Sequence, residues 1–388
     1  MMEKILVGLS GGVDSAIAAY LLMKQGYDVS CCFMRNWDAL TNQDILGNPT
    51  IQNEVCPQEE DYQDALAVAN QLGLPLLRVD FIKEYWEEVF QVFLQEYRRG
   101  RTPNPDILCN KHIKFHSFLE YAQKNGFSKI ATGHYARIVE ENGRYYLARG
   151  RDDSKDQSYF LAQIDSSCLS KCLFPLGELE KSEVRELALE LGLLIAEKKD
   201  STGICFIGER NFKEFLNNYL PAKKGNIIDI DTNGVVGKHS GVLYYTLGQR
   251  KGLGIGGVKG PWFVVGKNIE KSELYVTCIE DHNTLFSDSC SLIDINWLME
   301  PVRASLECTA KFRYRQKDEK VTLVYQENGA YTIRYHRNIA SVTPGQQVVF
   351  YQGDVVIGGA TIDDVFLEEI GLSKRLEDNI DAIIQKSE

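Results

Sequence analysis

No stretch of the 388-residue chain reaches the roughly 18 consecutive apolar residues that a membrane-spanning helix needs, which excludes a helical membrane protein. No leader is expected either. The first strand-like run begins at Lys4, which leaves no space for the apolar core of a signal peptide, and the opening residues are not the Arg- and Ser-rich kind of a transit sequence. Positive charge is in short supply: 43 Lys and Arg against 54 Asp and Glu give a net charge of −11. That balance argues against a protein whose whole surface coats nucleic acid, although a local patch can overrule a global sum. The ten cysteines show no dense framework spacing and no C-x-x-C pair. Cys31-Cys32 and Cys168-x₃-Cys172 are poor frames for an iron–sulfur cluster. Reduced thiols and a cytoplasmic location are therefore expected.

What is present first is an alternation of strand and helix over about two hundred residues. "KILVGL" reads as a buried strand, and Val13, Ile17, Tyr20 and Leu21 then fall on one helical face that stops at Gly26. "DVSCCFM", "PLLRVDF" and "KIATGHY" read as further strands, with helices in "DYQDALAVANQLG" and "EYWEEVFQVFLQEY". The pattern predicts an α/β, doubly wound parallel sheet covered by helices on both faces. Residues 36–60 are polar and Asn-rich and read as a long surface loop. After about residue 222 the chain becomes glycine-rich, and from 290 to 362 β-branched runs alternate with turns such as Glu-Asn-Gly. The expected domains are a catalytic one over 1–222, a small glycine-rich central one over 223–284 and a β-barrel over 285–365. A loosely attached helical tail over 366–388 completes the chain.

The turn after the first strand reads Gly8-Leu9-Ser10-Gly11-Gly12-Val13-Asp14-Ser15. A glycine turn between strand and helix cradles phosphate, because backbone N–H groups converge there and the helix N-terminus adds about half a positive charge. Ligands in such sheets sit at the carboxyl ends of the strands, where this turn lies. Neither the lysine of G-x-x-x-x-G-K-[ST] nor the G-x-G-x-x-G fingerprint is present at this turn. The six residues Ser10 to Ser15 resemble instead the pyrophosphate loop of the ATP-pyrophosphatase families, which cut ATP between the α and β phosphates. Asp14 is negative and so odd for a phosphate site. It would cap the helix or hold a magnesium ion.

Two thiols stand apart from the rest. In "RTPNPDILCNKHIKF" the spacing of Phe115, Phe118, Leu119 and Ala122 starts a helix near Cys109. A thiol at a helix N-terminus, with Lys111, His112 and Lys114 close in sequence, should ionise easily. Cys205, in "DSTGICFIGER", lies between Gly203 and Gly208 on an expected exposed turn. Two short basic stretches, "RRGR" at 98–101 and "KFRYRQK" at 311–317, are on their own no more than solvated faces.

"GLSGGVDS", "TPNPDILCN", "ATGHYA", "KDQSYFL", "DSTGICFIGER", "YTLGQRKGLGIGG" and "RYRQ" together, in that order, are similar to the tRNA-specific 2-thiouridylases from about residue 4 to about 360. That resemblance implies a sulfurtransferase with an adenine nucleotide α-hydrolase-like catalytic domain. The substrate would be the wobble uridine of tRNA: its O2 is adenylated by ATP with Mg²⁺, then replaced by sulfur, releasing AMP and pyrophosphate. Cys205 would carry the sulfur as a persulfide and Cys109 would be the partner nucleophile, leaving a transient Cys109–Cys205 disulfide. Either free sulfide or the persulfide itself would attack. Asp106 is the candidate general acid/base, with Asn104 and Pro105 shaping the pocket for the target base.

Met34 and Gly133 match adenosine-contacting positions. His134, Lys155, Asp156 and Gln157 match tRNA-contacting ones, as do Arg313, Tyr314, Arg315, Gln316 and Gln346 in the barrel. The implied partners are tRNA and a persulfide donor, with the enzyme itself a monomer. The competing readings are another carbonyl-adenylating ATP-pyrophosphatase, which would need no paired cysteines, and a non-catalytic tRNA- and ATP-binding protein.

Overall fold

The computed structural model describes residues 2–51, 57–200, 203, 204, 207, 210–256 and 260–387. Five strands form the first sheet: β1 (Lys4–Gly8), β2 (Asp28–Arg35), β3 (Leu76–Asp80), β4 (Lys129–Ala131) and, after a hairpin described below, Cys172–Leu173. Their order is β3-β2-β1-β4 followed by the last, and every pairing is parallel. The alternation of side chains in β1 sorts the two layers. Ile5 and Val7 join α1 (Val13–Lys24) and α2 (Pro57–Leu72) through Ala16, Ile17, Ala65 and Ala69. Leu6 faces the other way, onto Phe90, Phe115 and Phe118. Both faces are thus covered, as the alternation predicts.

The second layer is made of two nearly continuous helical rods. One runs from Ile82 to Arg98 and contains a wide π turn over Trp86–Phe90. The other runs from Pro105 to Lys124 with a π turn over Asn110–Ser117. Such wide turns are frequent at functional sites.

The hairpin β5 (Ala136–Glu141) and β6 (Arg144–Arg149) leaves this layer and pairs Ala148 with Val355 of the C-terminal region. It reads "ARIVEENGRYYLAR" and turns at Asn142-Gly143, a hairpin signal in plain view. Next come Cys172–Leu173 as β7, then β8 (Gly225–Asp229), β9 (Gly234–His239), β10 (Phe263–Asn268) and β11 (Glu273–Thr277). The last four make a small sheet in the order β10-β11-β8-β9.

Six strands follow: β12 (Phe286–Trp297), β13 (Leu306–Lys311), β14 (Glu319–Tyr325), β15 (Tyr331–Ala340), β16 (Gln347–Gln352) and β17 (Val355–Leu367). All pair antiparallel, and β12 pairs with β17, which closes a barrel without free edges. Alternate residues such as Val321, Leu323, Ile333, Val348 and Phe350 fill it.

Two expectations are corrected here. The C-terminal helix, Leu372–Ser387, is not loosely attached at its start. Leu372 and Leu376 are buried against the barrel core, and Arg375 donates to the carbonyls of Asn283 at 2.8 Å and Phe286 at 2.9 Å. Residues 36–51 contain no helix or strand and expose Leu40, Thr41, Gln43, Ile45, Leu46 and Pro49, as a surface loop does, but the segment is also anchored in the core, and a helix already begins at Pro57. Trp37, 2% exposed, sits among Tyr85, Trp86, Phe90 and Phe215, and Asn36, Asn42, Asp44 and Asn48 are buried. Asn42 Oδ1 accepts from Asp38 N, Asn48 Nδ2 donates to Asp44 O and Asn48 Oδ1 accepts from Thr50 N, while Asn36 Oδ1 and Asp44 Oδ1 are buried with no hydrogen-bond partner among the described residues. No helix among the described residues is long and apolar enough to cross a membrane.

Candidate active site

The turn between β1 and α1 is held by its own hydroxyls. Ser10 N donates to Ser15 Oγ at 3.1 Å, Ser15 Oγ donates to Gly12 O at 3.0 Å, and the two serine hydroxyls lie 3.2 Å apart. Leu9 and Val13 are buried on either side and root the turn in the core. Gly12 is the helix N-cap, and no side chain closes that end, so the first N–H groups of α1 stay open to an anion.

Two glycines are sterically required. Gly11 has φ +75°, and a Cβ there would stand 2.4 Å from Asp61 O. A Cβ on Gly133 would stand 2.8 Å from Asp14 C and Ser15 N, so Gly133 lets β4's exit lie flat against the start of α1. Met34 is buried at the carboxyl end of β2, with its Cε 3.1 Å from where a Cβ on Gly8 would point.

Asp14 does not cap the helix. Its Oδ1 accepts from Tyr135 Oη at 2.9 Å and from Lys181 Nζ at 2.6 Å. Lys181 Nζ also lies 2.8 Å from Asp200 Oδ1, which Arg185 approaches at 2.7 Å, while Lys155 holds Asp200 Oδ2 at 2.9 Å. Partial burial works against the charge of Asp200, but the hydrogen bonds from Lys181 and Lys155 outweigh it and hold the carboxyl well below its usual range.

On the other side of the turn, Lys198 Nζ reaches Gly11 O at 3.3 Å, Asp61 at 2.8 Å and Asp64 at 2.6 Å. Burial disfavours the Lys198 cation, yet the two carboxylates raise its pKa above the ordinary lysine value. Lysines thus flank the phosphate turn on both sides. Sequence reasoning missed both. The signals were Lys181 in "EKSEV", at the start of a helix with a capping box, and Lys198 just before "DSTGICF".

His134 is buried between Phe115 and Phe174, with Nδ1 2.7 Å from Thr132 Oγ1. Burial, reinforced by the nearby Lys114 charge, drives its pKa well below the ordinary 6.5, so the folded ring is neutral. An unfolded chain binds a proton there below pH 6.5, and the folded chain does not. The stability this ring contributes is therefore full above pH 6.5 and is lost as pH falls towards its lower folded value. Melting temperatures from pH 7 to 5 should fall more gently for His134→Gln than for the wild type, by up to about 1.4 kcal/mol per pH unit of unfolding free energy. Parallel slopes would mean that His134 titrates in the folded state.

The helix carrying Cys109 begins four residues earlier than the spacing suggests. Asn104 is the N-cap, its Oδ1 accepting from Asp106 N at 3.1 Å and Ile107 N at 3.4 Å, with Pro105 in the first turn. Cys109 is the last residue of that first helical piece, 0% exposed, just before the π turn. Of the three basic neighbours expected to activate it, His112 is paired with Glu88 at 3.1 Å, and burial and the Lys111 charge lower its pKa. Asp106 is half-buried near the helix start. Cys205 lies outside the described residues. Its neighbours Ile204 and Ile207 pack on the aromatic core, with Ile207 N donating to Ile204 O at 3.0 Å.

The barrel meets this region directly. Asn110 Nδ2 donates to Phe160 O at 2.9 Å, and the Phe160 ring centroid lies 4.4 Å from that of Tyr314. Gln346 Nε2 donates to Thr102 O, on the approach to the Cys109 helix, and Thr102 N donates to Pro344 O at 3.2 Å. Arg313 Nη2 is bonded inside the chain, to Ser341 O at 2.6 Å, Thr343 Oγ1 at 3.0 Å and Leu247 O at 3.1 Å. Gln316 Oε1 accepts from Phe312 N at 3.1 Å. Arg315 is exposed. Asp156 is buried and accepts from Gly150 N, Ser158 N and Ser158 Oγ, while Gln157 Oε1 accepts from Tyr135 N.

Parallel sheet, glycine turn and flanking lysines define an enzyme of the ATP-pyrophosphatase class joined to a β-barrel. Comparison with known sequences agrees in order and extent. Residues 3–209 match the tRNA methyl transferase HUP domain family, 213–278 the tRNA methyl transferase PRC-barrel domain family and 287–362 the aminomethyltransferase beta-barrel domain family. A tRNA-specific 2-thiouridylase of Mesoplasma florum is 53% identical over 373 residues, covering 94% of this chain and 100% of that one. One of Staphylococcus aureus is 52% identical over 370 residues, covering 94% and 96%. The chain belongs to the tRNA-specific 2-thiouridylase family. Among solved structures, a 4-thiouridine synthetase in complex with RNA and bound ATP aligns over 56% of this chain and 50% of that one, at 17% identity and a TM-score of 0.32.

Proposed function

We propose that this enzyme replaces O2 of the wobble uridine of tRNA with sulfur, using ATP to make the oxygen a leaving group. The observation that carries this reading is the open, glycine-built turn between β1 and α1, clamped by Lys181 and Lys198, in a chain that also presents Cys109 on an adjoining helix. Uracil O2 attacks the α-phosphorus of ATP, and pyrophosphate leaves into the turn. Lys181, which meets Asp14 and Asp200 in this structure, is the cation placed to take up the phosphate charge.

Sulfur from a Cys205 persulfide then bonds to C2, and AMP leaves with the former O2. Cys109 attacks Cys205 Sγ, either to release sulfide before that bond forms or to release the thiolated base after it. Both routes leave a Cys109–Cys205 disulfide, and an external thiol must supply the two electrons that reset it. The described residues hold no group of three His, Cys, Asp or Glu that could ligate a metal, and Asp14 is engaged by Lys181. Mg²⁺ would come with ATP, the phosphates supplying most of its ligands and Asp14 on the turn being the protein carboxylate that would join them, and no step runs through it. The enzyme works as a cytoplasmic monomer supplied by a persulfide donor.

For tRNA, His134 and Asp156 are buried and Gln157, Gln316 and Arg313 each bond within the chain, while Arg313 keeps an exposed side chain beside Arg315 that suits a phosphate contact. Tyr314 and Phe160 offer rings beside the Cys109 helix for a base taken out of its stack, and Arg315 offers charge to phosphate. The test is binding against salt. Affinity for tRNA falls as salt rises despite the net charge of −11, and Arg315→Ala lowers the slope of log K against log salt by about one. An unchanged slope places the tRNA elsewhere. Incubation of the pure enzyme with ATP, tRNA and a persulfide source, followed by nucleoside mass spectrometry, tests the activity itself.

A further inference from the structure

Residues 36–51 grip the chain just beyond Cys205. Asp44 is 0% exposed, and its Oδ2 accepts from Arg210 Nε at 2.9 Å and Trp37 Nε1 at 3.2 Å, with Arg210 Nη2 also at 2.9 Å. The Arg210 side chain is 7% exposed. Immediately after it, Asn211 N donates to Gly47 O at 3.2 Å. Two turns further on, Asn218 Oδ1 accepts from Leu46 N at 2.9 Å, its Nδ2 returns a bond to Leu46 O at 2.9 Å, and Tyr219 Oη donates to Asn42 O at 2.8 Å. On the near side of Arg210, Ile207 is buried in the aromatic core that also holds Trp37.

A buried ion pair is weak evidence for stability, because desolvation offsets most of its attraction. Its directional content is higher. A guanidinium edge on a carboxylate that an indole N–H also holds fixes where one segment sits relative to the other. Trp37 in turn follows β2 within two residues, so the grip refers the Cys205 segment to the parallel sheet itself.

We propose that Asp44, acting through Arg210, is a positioning residue for sulfur transfer. It fixes where the chain carrying Cys205 joins the core, and so sets how Cys205 meets Cys109. The inference rests on the reading of Cys205 as the sulfur carrier. Asp44 takes no part in bond making; the step it serves is the attack of the Cys109 thiolate on Cys205 Sγ described above.

The test uses the full-length enzyme, loaded with persulfide by inorganic polysulfide and freed of reductant, then mixed with ATP and tRNA for one turnover. Pyrophosphate release and the Cys109–Cys205 disulfide, by peptide mapping, are followed together. Asp44→Asn should slow the disulfide by about tenfold or more and leave pyrophosphate release within about twofold. Asn218→Ala loosens the same grip without stranding a buried charge, and should slow the disulfide by about threefold with pyrophosphate release unchanged. If both variants form the disulfide at the wild-type rate, the positioning role is wrong. It is equally wrong if Asp44→Asn slows both readouts alike and Asn218→Ala slows neither. Absence of the disulfide in the wild type would instead overturn the carrier reading.

Discussion

Cys109→Ser and Cys205→Ser each lose thiolation by at least about 10³-fold, but they stall at different places. With Cys205 replaced, no persulfide forms on the protein after incubation with a donor. With Cys109 replaced, Cys205 still loads sulfur and then waits, because no thiolate attacks its Sγ. Neither change should weaken ATP binding, since the phosphate turn is built from β1, α1 and the Lys181 and Lys198 side chains and includes neither cysteine. Peptide mapping by mass spectrometry separates the cases. A persulfide on Cys109 with Cys205 always free would reverse the two roles. The burial of Cys109 adds a requirement: its thiol must be uncovered before it can attack.

Lys181→Ala should lower pyrophosphate release by about 10²- to 10³-fold while leaving tRNA binding within a few-fold. The lysine is 13% exposed and lies between two carboxylates, Asp14 and Asp200, one on the phosphate turn and one close before Cys205 in sequence. Removing it takes away the cation on that side of the turn and leaves two carboxylates facing the incoming triphosphate. Asp14→Ala acts on the same pair from the other end and should also abolish pyrophosphate release. The two losses should not add, because each breaks one interaction. A Lys181→Ala enzyme that keeps more than about a tenth of wild-type release would show that the turn itself carries the phosphate charge.

The parallel sheet was legible because β1 is short, apolar and followed at once by a glycine turn and a helix, a combination that few other folds use. The barrel was legible from its β-branched runs and turns. The hairpin 136–149 carries its signal in Asn142-Gly143, but its strands alternate polar and apolar residues too weakly to stand out beside the parallel strands. The segment 36–51 is a loop whose buried half does not show in its composition. Asp44 accepts from Arg210, Asn48 donates to the Asp44 carbonyl and Asn218 holds the Leu46 backbone, so part of the polarity there marks buried anchoring instead of solvent.

The same holds within the site. The glycines, Asp14 and the cysteines stand out as motif residues. Lys181, Lys198 and Asp200 lie between 167 and 187 residues from the turn they serve, or join it through another side chain, and no local pattern can show that. Asn104, which the resemblance places at the base pocket, is also a helix cap, a role that the Asn-Pro pair before a helical run encodes.

The claim on which all of this depends is that uracil O2 itself attacks ATP. Transfer RNA carrying ¹⁸O at O2 of the wobble uridine decides it in one turnover. If O2 is adenylated, the AMP released during thiolation carries the label in its phosphate, one ¹⁸O for each 2-thiouridine formed, and the pyrophosphate carries none. Label found in water with unlabelled AMP would mean that ATP is spent elsewhere and that oxygen leaves by another route.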